Sequence, residues 1–325
     1  MFRFILLGLS LFVSVGIAEG VVRAFFPIYG GVDNIDKDGQ PVREWFKPGS
    51  VYRQFSNEYD ATTTITSKGH RVPGSDGNPD VVFIGDSFTF GFGLADDETF
   101  ASRYCAEMHV TCANLGIPGS GTVKQMVRLE QFLVDYHWKP REVKWFFFGM
   151  SGSFASGNDF VDNYNFGYRQ DAKSPDGPVV SRPAPTLAGR LIGLQTLLLD
   201  NSYLMRQVKF RWGPLMKSLL VDPPGETRLT EALRYTQEDF RQVDELSRRY
   251  GFDYKIYLIV PVQDLIRGTY NETLKTLNSV ITKSAIPTAP ALADQPQKYY
   301  YAYDGHLNAA GSRKVAELLI AQDQH

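Results

Sequence analysis

Two short motifs at opposite ends of the chain hold residue types that can do nucleophilic chemistry. Gly85-Asp86-Ser87 lies in VVFIGDSFTFGFG, and Asp304-Gly305-His306 lies in YYAYDGHLNAAG. A serine hydroxyl is a weak nucleophile at neutral pH and needs a base within hydrogen-bond reach. His306, with Asp304 two residues before it, offers a base and the carboxylate that would orient it. Of the five histidines, His70 precedes the serine strand, His109 and His137 lie near helix ends, and His325 is the last residue. Only His306 falls in a loop after a late strand. Taken locally, Asp86 or Ser87 could simply cap a helix, and His306 could cap the helix starting near Asn308.

Acyl transfer also needs donors aimed at the developing oxyanion. Gly119, in NLGIPGSGT, could present a backbone N–H, and Asn158, in GNDF, a side-chain amide. The N–H of Ser87 itself would complete the set. A turn glycine and an Asn-Asp turn are the plain structural readings. The glycines of FTFGFG would allow a substrate to approach the backbone closely. A G-x-S-x-G elbow is absent, because Thr89 stands two residues after Ser87. Dinucleotide and P-loop fingerprints are absent too. No cofactor or metal is implied.

Elements of suitable type must carry these residues. VVFIG is a β-branched run of strand length after the turn cluster SDGNPD. DDETFASRYCAEM reads as a helix with Asp96 or Asp97 at its N-cap, VTCANL as a strand, and VKQMVRLEQFLVDYH as an amphipathic helix. VKWFFFG and YKIYLIVPV are further strands, and TQEDFRQVDELSRRYG, ETLKTLNSVITKS and AAGSRKVAELLIAQ further helices. This alternation predicts an α/β fold with a central parallel sheet covered on both faces. Ser87, Gly119 and Asn158 would all emerge at the carboxyl ends of strands, where such sheets bind ligands.

The remaining segments set the context. The N-terminal run FILLGLSLFVSVGIA follows Arg3 and carries no charge before Glu19. It reads as a signal anchor with Arg3 on the cytoplasmic side, or as a signal peptide cleaved after Gly16-Ile17-Ala18. A buried core helix is the remaining alternative. Either of the first two places the rest outside the cytoplasm. There Cys105 and Cys112 could pair, joining the end of a helix to the following strand, or remain buried thiols. The expected organisation is a signal segment over 1–26, a linker with short strands over 27–68, and a catalytic domain over 69–325 interrupted by a helical insertion at about 160–230. Tyr164, Phe166, Tyr168 and Trp212 of the insertion could line a sugar groove or serve as packing. A formal net charge of -2 gives no footprint for nucleic acid.

Together the blocks resemble the SGNH (GDSL-type) hydrolase family over roughly residues 69 to 320. IGDSFTFG carries the nucleophile onto Ser87. NLGIPGSG carries an oxyanion-hole glycine onto Gly119, and GNDF the oxyanion-hole asparagine onto Asn158. DGHLNAAG carries the acid and base onto Asp304 and His306. The resemblance implies a flavodoxin-like three-layer α/β/α sandwich around a five-stranded parallel sheet. The stretch between WFFFG and Asn158 is longer than the family usually has, and the acid stands two rather than three residues before the histidine. The leading segment and S-K-G-H-R also resemble membrane-tethered bacterial members. The activity implied is hydrolysis of an O-acyl ester, acetyl or short acyl, on a cell-envelope glycan. O-acyl transfer to a cell-surface polysaccharide, or carbohydrate binding without catalysis, are the alternatives.

Overall fold

The computed structural model describes residues 2–25, 33–36, 44–56, 58–74, 77–149, 159, 202, 204, 226–302 and 304–324. Two compact units are present, Met1–Val32 with Pro178–Asp222, and Asp33–Gly177 with Pro223–His325. In the first, helix α1 (Phe2–Phe25) runs through the apolar leader. Its Glu19 carboxylate accepts hydrogen bonds from the Ser202 hydroxyl and the Leu204 N–H, both at 2.9 Å. Among the described residues, no helix is long and apolar enough to cross a membrane. Most of the insertion expected at about 160–230, with Tyr164, Phe166, Tyr168 and Trp212, lies outside the described residues.

The second unit is built on a six-stranded sheet. Its strands are β4 (Arg71–Gly74), β5 (Val81–Gly85), β6 (Cys112–Asn114), β7 (Glu142–Phe148), β8 (Asp253–Ile259) and β9 (Ile286–Pro287). They lie in the order β4-β6-β5-β7-β8-β9. The strands from β5 to β9 pair in parallel. They form the five-stranded doubly wound core, with its direction reversing at β5. Every residue of β5 and of β7 is buried, as strands covered on both faces require. One feature departs from the all-parallel sheet expected: β4 adds an antiparallel edge beside β6. Pro73 lacks an N–H, so an edge is where this strand can sit.

Helices α2 (Ser87–Phe90), α3 (Phe100–Met108), α4 (Thr122–Asp135), α5 (Glu226–Tyr250), α6 (Val262–Arg267), α7 (Tyr270–Asn278), α8 (Ala289–Leu292) and α9 (Ala309–Asp323) complete the three layers. The cap of α3 is Thr99, whose hydroxyl accepts from Ser102 N–H, and not Asp96 or Asp97. Asp96 instead accepts from Thr64 N–H and pairs with Arg71, so tertiary contacts outcompete local capping. The segment expected to hold a linker and short strands forms a small antiparallel sheet, β1 (Asp33–Asp36), β2 (Val51–Phe55) and β3 (Asp60–Thr64). Tyr52 and Ile65 from this region pack with Phe90 in a second hydrophobic cluster, flanked by Trp45, Phe46 and Phe92.

Cys105 of α3 and Cys112 of β6 form a disulfide that closes a seven-residue separation. By loop-closure entropy it stabilises the fold by about 2–3 kcal/mol. We expect reductant, or the Cys105→Ser/Cys112→Ser pair, to lower stability by that amount in urea unfolding. A second expectation concerns Asp239 on α5. It is buried, accepts a hydrogen bond from Thr122 of α4, and is pushed by burial up to about 7. A carboxyl raised in the folded state favours folding at low pH, and that contribution is lost as pH rises through its folded pKa. Stability should therefore fall between about pH 4 and 7, and Asp239→Asn should flatten this segment of the stability–pH curve.

Candidate active site

Strand β5 ends at Gly85, and the chain turns directly into the single turn of α2. Asp86 caps that turn by accepting from Phe88 N–H at 2.9 Å. The capping role therefore falls on Asp86 and leaves the adjacent Ser87 hydroxyl to other partners. Ser87 is half-buried, at the carboxyl end of the strand where the sheet reverses direction.

Across from it, His306 Nε2 lies 2.7 Å from Ser87 Oγ. The other imidazole nitrogen, Nδ1, bonds Asp304 Oδ1. Both partners are largely shielded from solvent. Burial alone would raise the Asp304 pKa. Hydrogen bonds from the His306 ring, Tyr59 and the His306 backbone, with the imidazole's charge, overcome that and hold it below the ordinary carboxylate value. An acid that ionises more readily favours Nδ1 as the donor and Nε2 as the proton acceptor. The ring itself sits between Phe88 and Phe92, with centroids 4.8 and 5.0 Å away. Phe148 stacks behind Phe88 and Trp45 behind Phe92. This aromatic packing restricts rotation of the imidazole. The helix starting after His306 is capped by Asn308, which accepts from the Ala310 and Gly311 N–H groups.

Gly119 lies in the loop after β6, with φ +67 and nothing near the position a Cβ would take. A glycine is needed there for the left-handed backbone, and its outer face is open. The start of this loop runs alongside the end of β5: Leu115 N–H donates to Phe83 O at 2.8 Å and Ile117 N–H to Gly85 O at 2.9 Å. Asn158 lies outside the described residues. Its neighbour Asp159 is described and buried. Asp159 accepts from Phe148 N–H at 2.9 Å and from Gln125 Nε2 at 3.4 Å. Gln125 also donates to Ser120 O and accepts from Trp145 Nε1, so it ties the Gly119 loop to the end of β7.

The FTFGFG glycines do not leave room for substrate. A Cβ on Gly93 would meet the Tyr59 ring at 2.9 Å, and one on Gly91 would meet Thr99 at 2.6 Å. They admit the protein's own side chains. Sequence reasoning also missed four positioning residues. Asn114, fully buried, donates to Thr89 O and accepts from Gly116 N–H, joining α2 to the Gly119 loop. Glu58 and Tyr59, from the segment read as a linker, reach Asp304. Arg71, also fully buried, donates to the carbonyls of Phe90, Gly91 and Leu94. The amide ending an otherwise apolar strand in CAN was the only local signal among them. The others act through long-range contacts that leave no periodic trace.

No family model and no curated protein matches the chain. Several solved structures resemble it. One is an arginine-to-alanine mutant of Axe2, an acetyl-xylooligosaccharide esterase from Geobacillus, at 16% identity over 76% of this chain and 94% of that one, with a TM-score of 0.37. Another is LAE5, an alpha/beta hydrolase enzyme from the Lake Arreo metagenome, at 13% identity over 76% and 95%, TM-score 0.39. A third is a carbohydrate esterase family 2 enzyme with a carbohydrate binding domain from Corynascus, at 13% identity over 90% and 86%, TM-score 0.36. At such low identity and superposition, a functional reading of this chain rests on its own contacts.

Arg71 offers a direct test of how the serine turn is held. Its planar fork serves several carbonyls at once, which a lysine ammonium cannot reproduce. We expect Arg71→Lys to lose about 2–4 kcal/mol in chemical unfolding, through carbonyls left without their donors.

Proposed function

We propose that the protein is a serine esterase of the SGNH type. The observation that carries this reading is His306 Nε2 at 2.7 Å from Ser87 Oγ, with Nδ1 of the same ring bonded to Asp304. As an ester enters, His306 takes the Ser87 proton while Oγ attacks the acyl carbon. Asp304 stabilises the resulting imidazolium without accepting the proton itself. The tetrahedral oxyanion is held by the Ser87 and Gly119 N–H groups, with Asn158 supplying its side-chain amide. Collapse of the intermediate expels the alcohol, which takes the proton from His306. Water, activated by the same imidazole, then releases the acid and restores Ser87. Every proton step is served by these side chains.

The substrate in this reading is an acetyl or short-acyl O-ester on a cell-envelope glycan. The signal segment expected over 1–26 would place the protein outside the cytoplasm. If a sugar hydroxyl replaced water in the second half-reaction, the same acyl-enzyme would give O-acyl transfer, so the products formed with added oligosaccharide identify the acceptor.

The test is fluorophosphonate labelling with peptide mapping, followed by turnover of a soluble aryl acetate. We expect modification at Ser87 alone. Ser87→Ala and His306→Ala should each lower kcat/KM by about 10³-fold or more while thermal unfolding stays near wild type. Folded protein that neither labels nor turns over ester would overturn the reading, and sugar binding by such inert protein would replace it with a carbohydrate-binding role.

A further inference from the structure

We propose that Tyr59, from the turn between β2 and β3, is a positioning residue that sets the basicity of His306 through Asp304. Its hydroxyl donates to Asp304 Oδ2 at 3.0 Å, the carboxylate oxygen that His306 Nδ1 does not use. The neighbouring Glu58 accepts from Asp304 N–H at 2.8 Å. The acid is thus held at its side chain and its backbone by two adjacent residues some 245 positions earlier in the chain. The turn is itself fixed in place. Tyr59 is buried, its ring lies 4.8 Å from the Tyr301 ring and 6.4 Å from Phe92, and Tyr301 donates to Gly93 O at 2.8 Å. Gly93 has no Cβ where the Tyr59 ring passes.

The chemistry follows from the donor. Burial, the charge of Asp304 and this hydrogen bond all push the phenol's pKa up, so Tyr59 stays protonated and keeps donating. A donor on the carboxylate spreads its charge and lowers its proton affinity. Without it, Asp304 attracts the imidazolium more strongly, and the proton on His306 is released only at higher pH. The titratable groups facing Asp304 are His306 in its own loop, Glu58 and Tyr59 from the β2–β3 turn, and Tyr301 before the loop, with Glu98 acting on Tyr301. Among them, Tyr59 contributes a side-chain donor to Oδ2.

The test uses the full chain and Tyr59→Phe, which removes one oxygen and keeps the packed ring. The His306 ring-proton titration is followed by NMR, assigned by comparison with His306→Gln. We expect the His306 pKa to rise by about half a unit or more. The acid limb of kcat/KM on an aryl acetate should move by the same amount, with KM changed less than about twofold. Glu58→Gln keeps an acceptor for Asp304 N–H but removes a negative charge, so it should shift the titration downward. An unmoved titration in Tyr59→Phe, or shifts of the same sign in both variants, would overturn the inference. The kinetic arm rests on the esterase reading, whereas the titration does not. A shifted titration in protein without ester turnover would keep the inference and overturn that reading. An unmoved titration in active protein would do the reverse.

Discussion

A hydroxyl and an imidazole 219 positions apart in the chain must be held 2.7 Å from one another, and the rest of the fold serves that distance. Neither group has local structure of its own that could fix it. Ser87 begins a helix of a single turn, and His306 lies in a short loop. Each is therefore positioned by what its neighbours pack against. For Ser87 this is the buried strand β5, the Asp86 cap and the carbonyl clamp of Arg71. For His306 it is the Phe88–Phe92 column and the helix α9 that follows.

Helix α9 is anchored at both ends. Near its start, Asn308 caps it, and Ser312 donates to Glu98 O at 2.7 Å. At its far end, Asp323 receives Lys144 and Tyr104, each at 2.6 Å, and Lys255 besides. Lys144 is fully buried within β7 and also bonds Glu142 at 2.9 Å. A buried ammonium is costly unless paired, and removing either carboxylate would leave one anion to serve both Lys144 and Lys255. This network lies at the amino ends of the strands, opposite the serine. It adds rigidity to the helix that delivers the histidine loop without sharing in the chemistry.

Electrostatics at the site follow from partial burial. Asp304 keeps its charge because its hydrogen bonds outweigh the loss of water. One of those bonds comes from Tyr59 in the β2–β3 turn, so this region bears on the carboxylate beside His306 as well as on the aromatic wall beside the imidazole. The glycines of FTFGFG belong to the same arrangement, since they make room for Tyr59 and Thr99 beside the serine turn.

The alternation of buried strands with amphipathic helices was legible in the sequence because each periodicity is local. So were the serine turn, the Asp/His loop and the Cys105–Cys112 proximity, whose signals span only a few residues. What the sequence could not show was decided by tertiary contact. Asp96 looks like a helix cap but serves Arg71 and Thr64, leaving the cap to Thr99. The antiparallel edge β4 and the two-residue strand β9 carry too few residues for a pattern. Glu58 and Tyr59 read as linker because their partner lies almost at the other end of the chain. A residue's type and spacing reveal the chemistry it could do, whereas the partner that fixes its orientation and proton affinity is chosen by packing across the whole sheet.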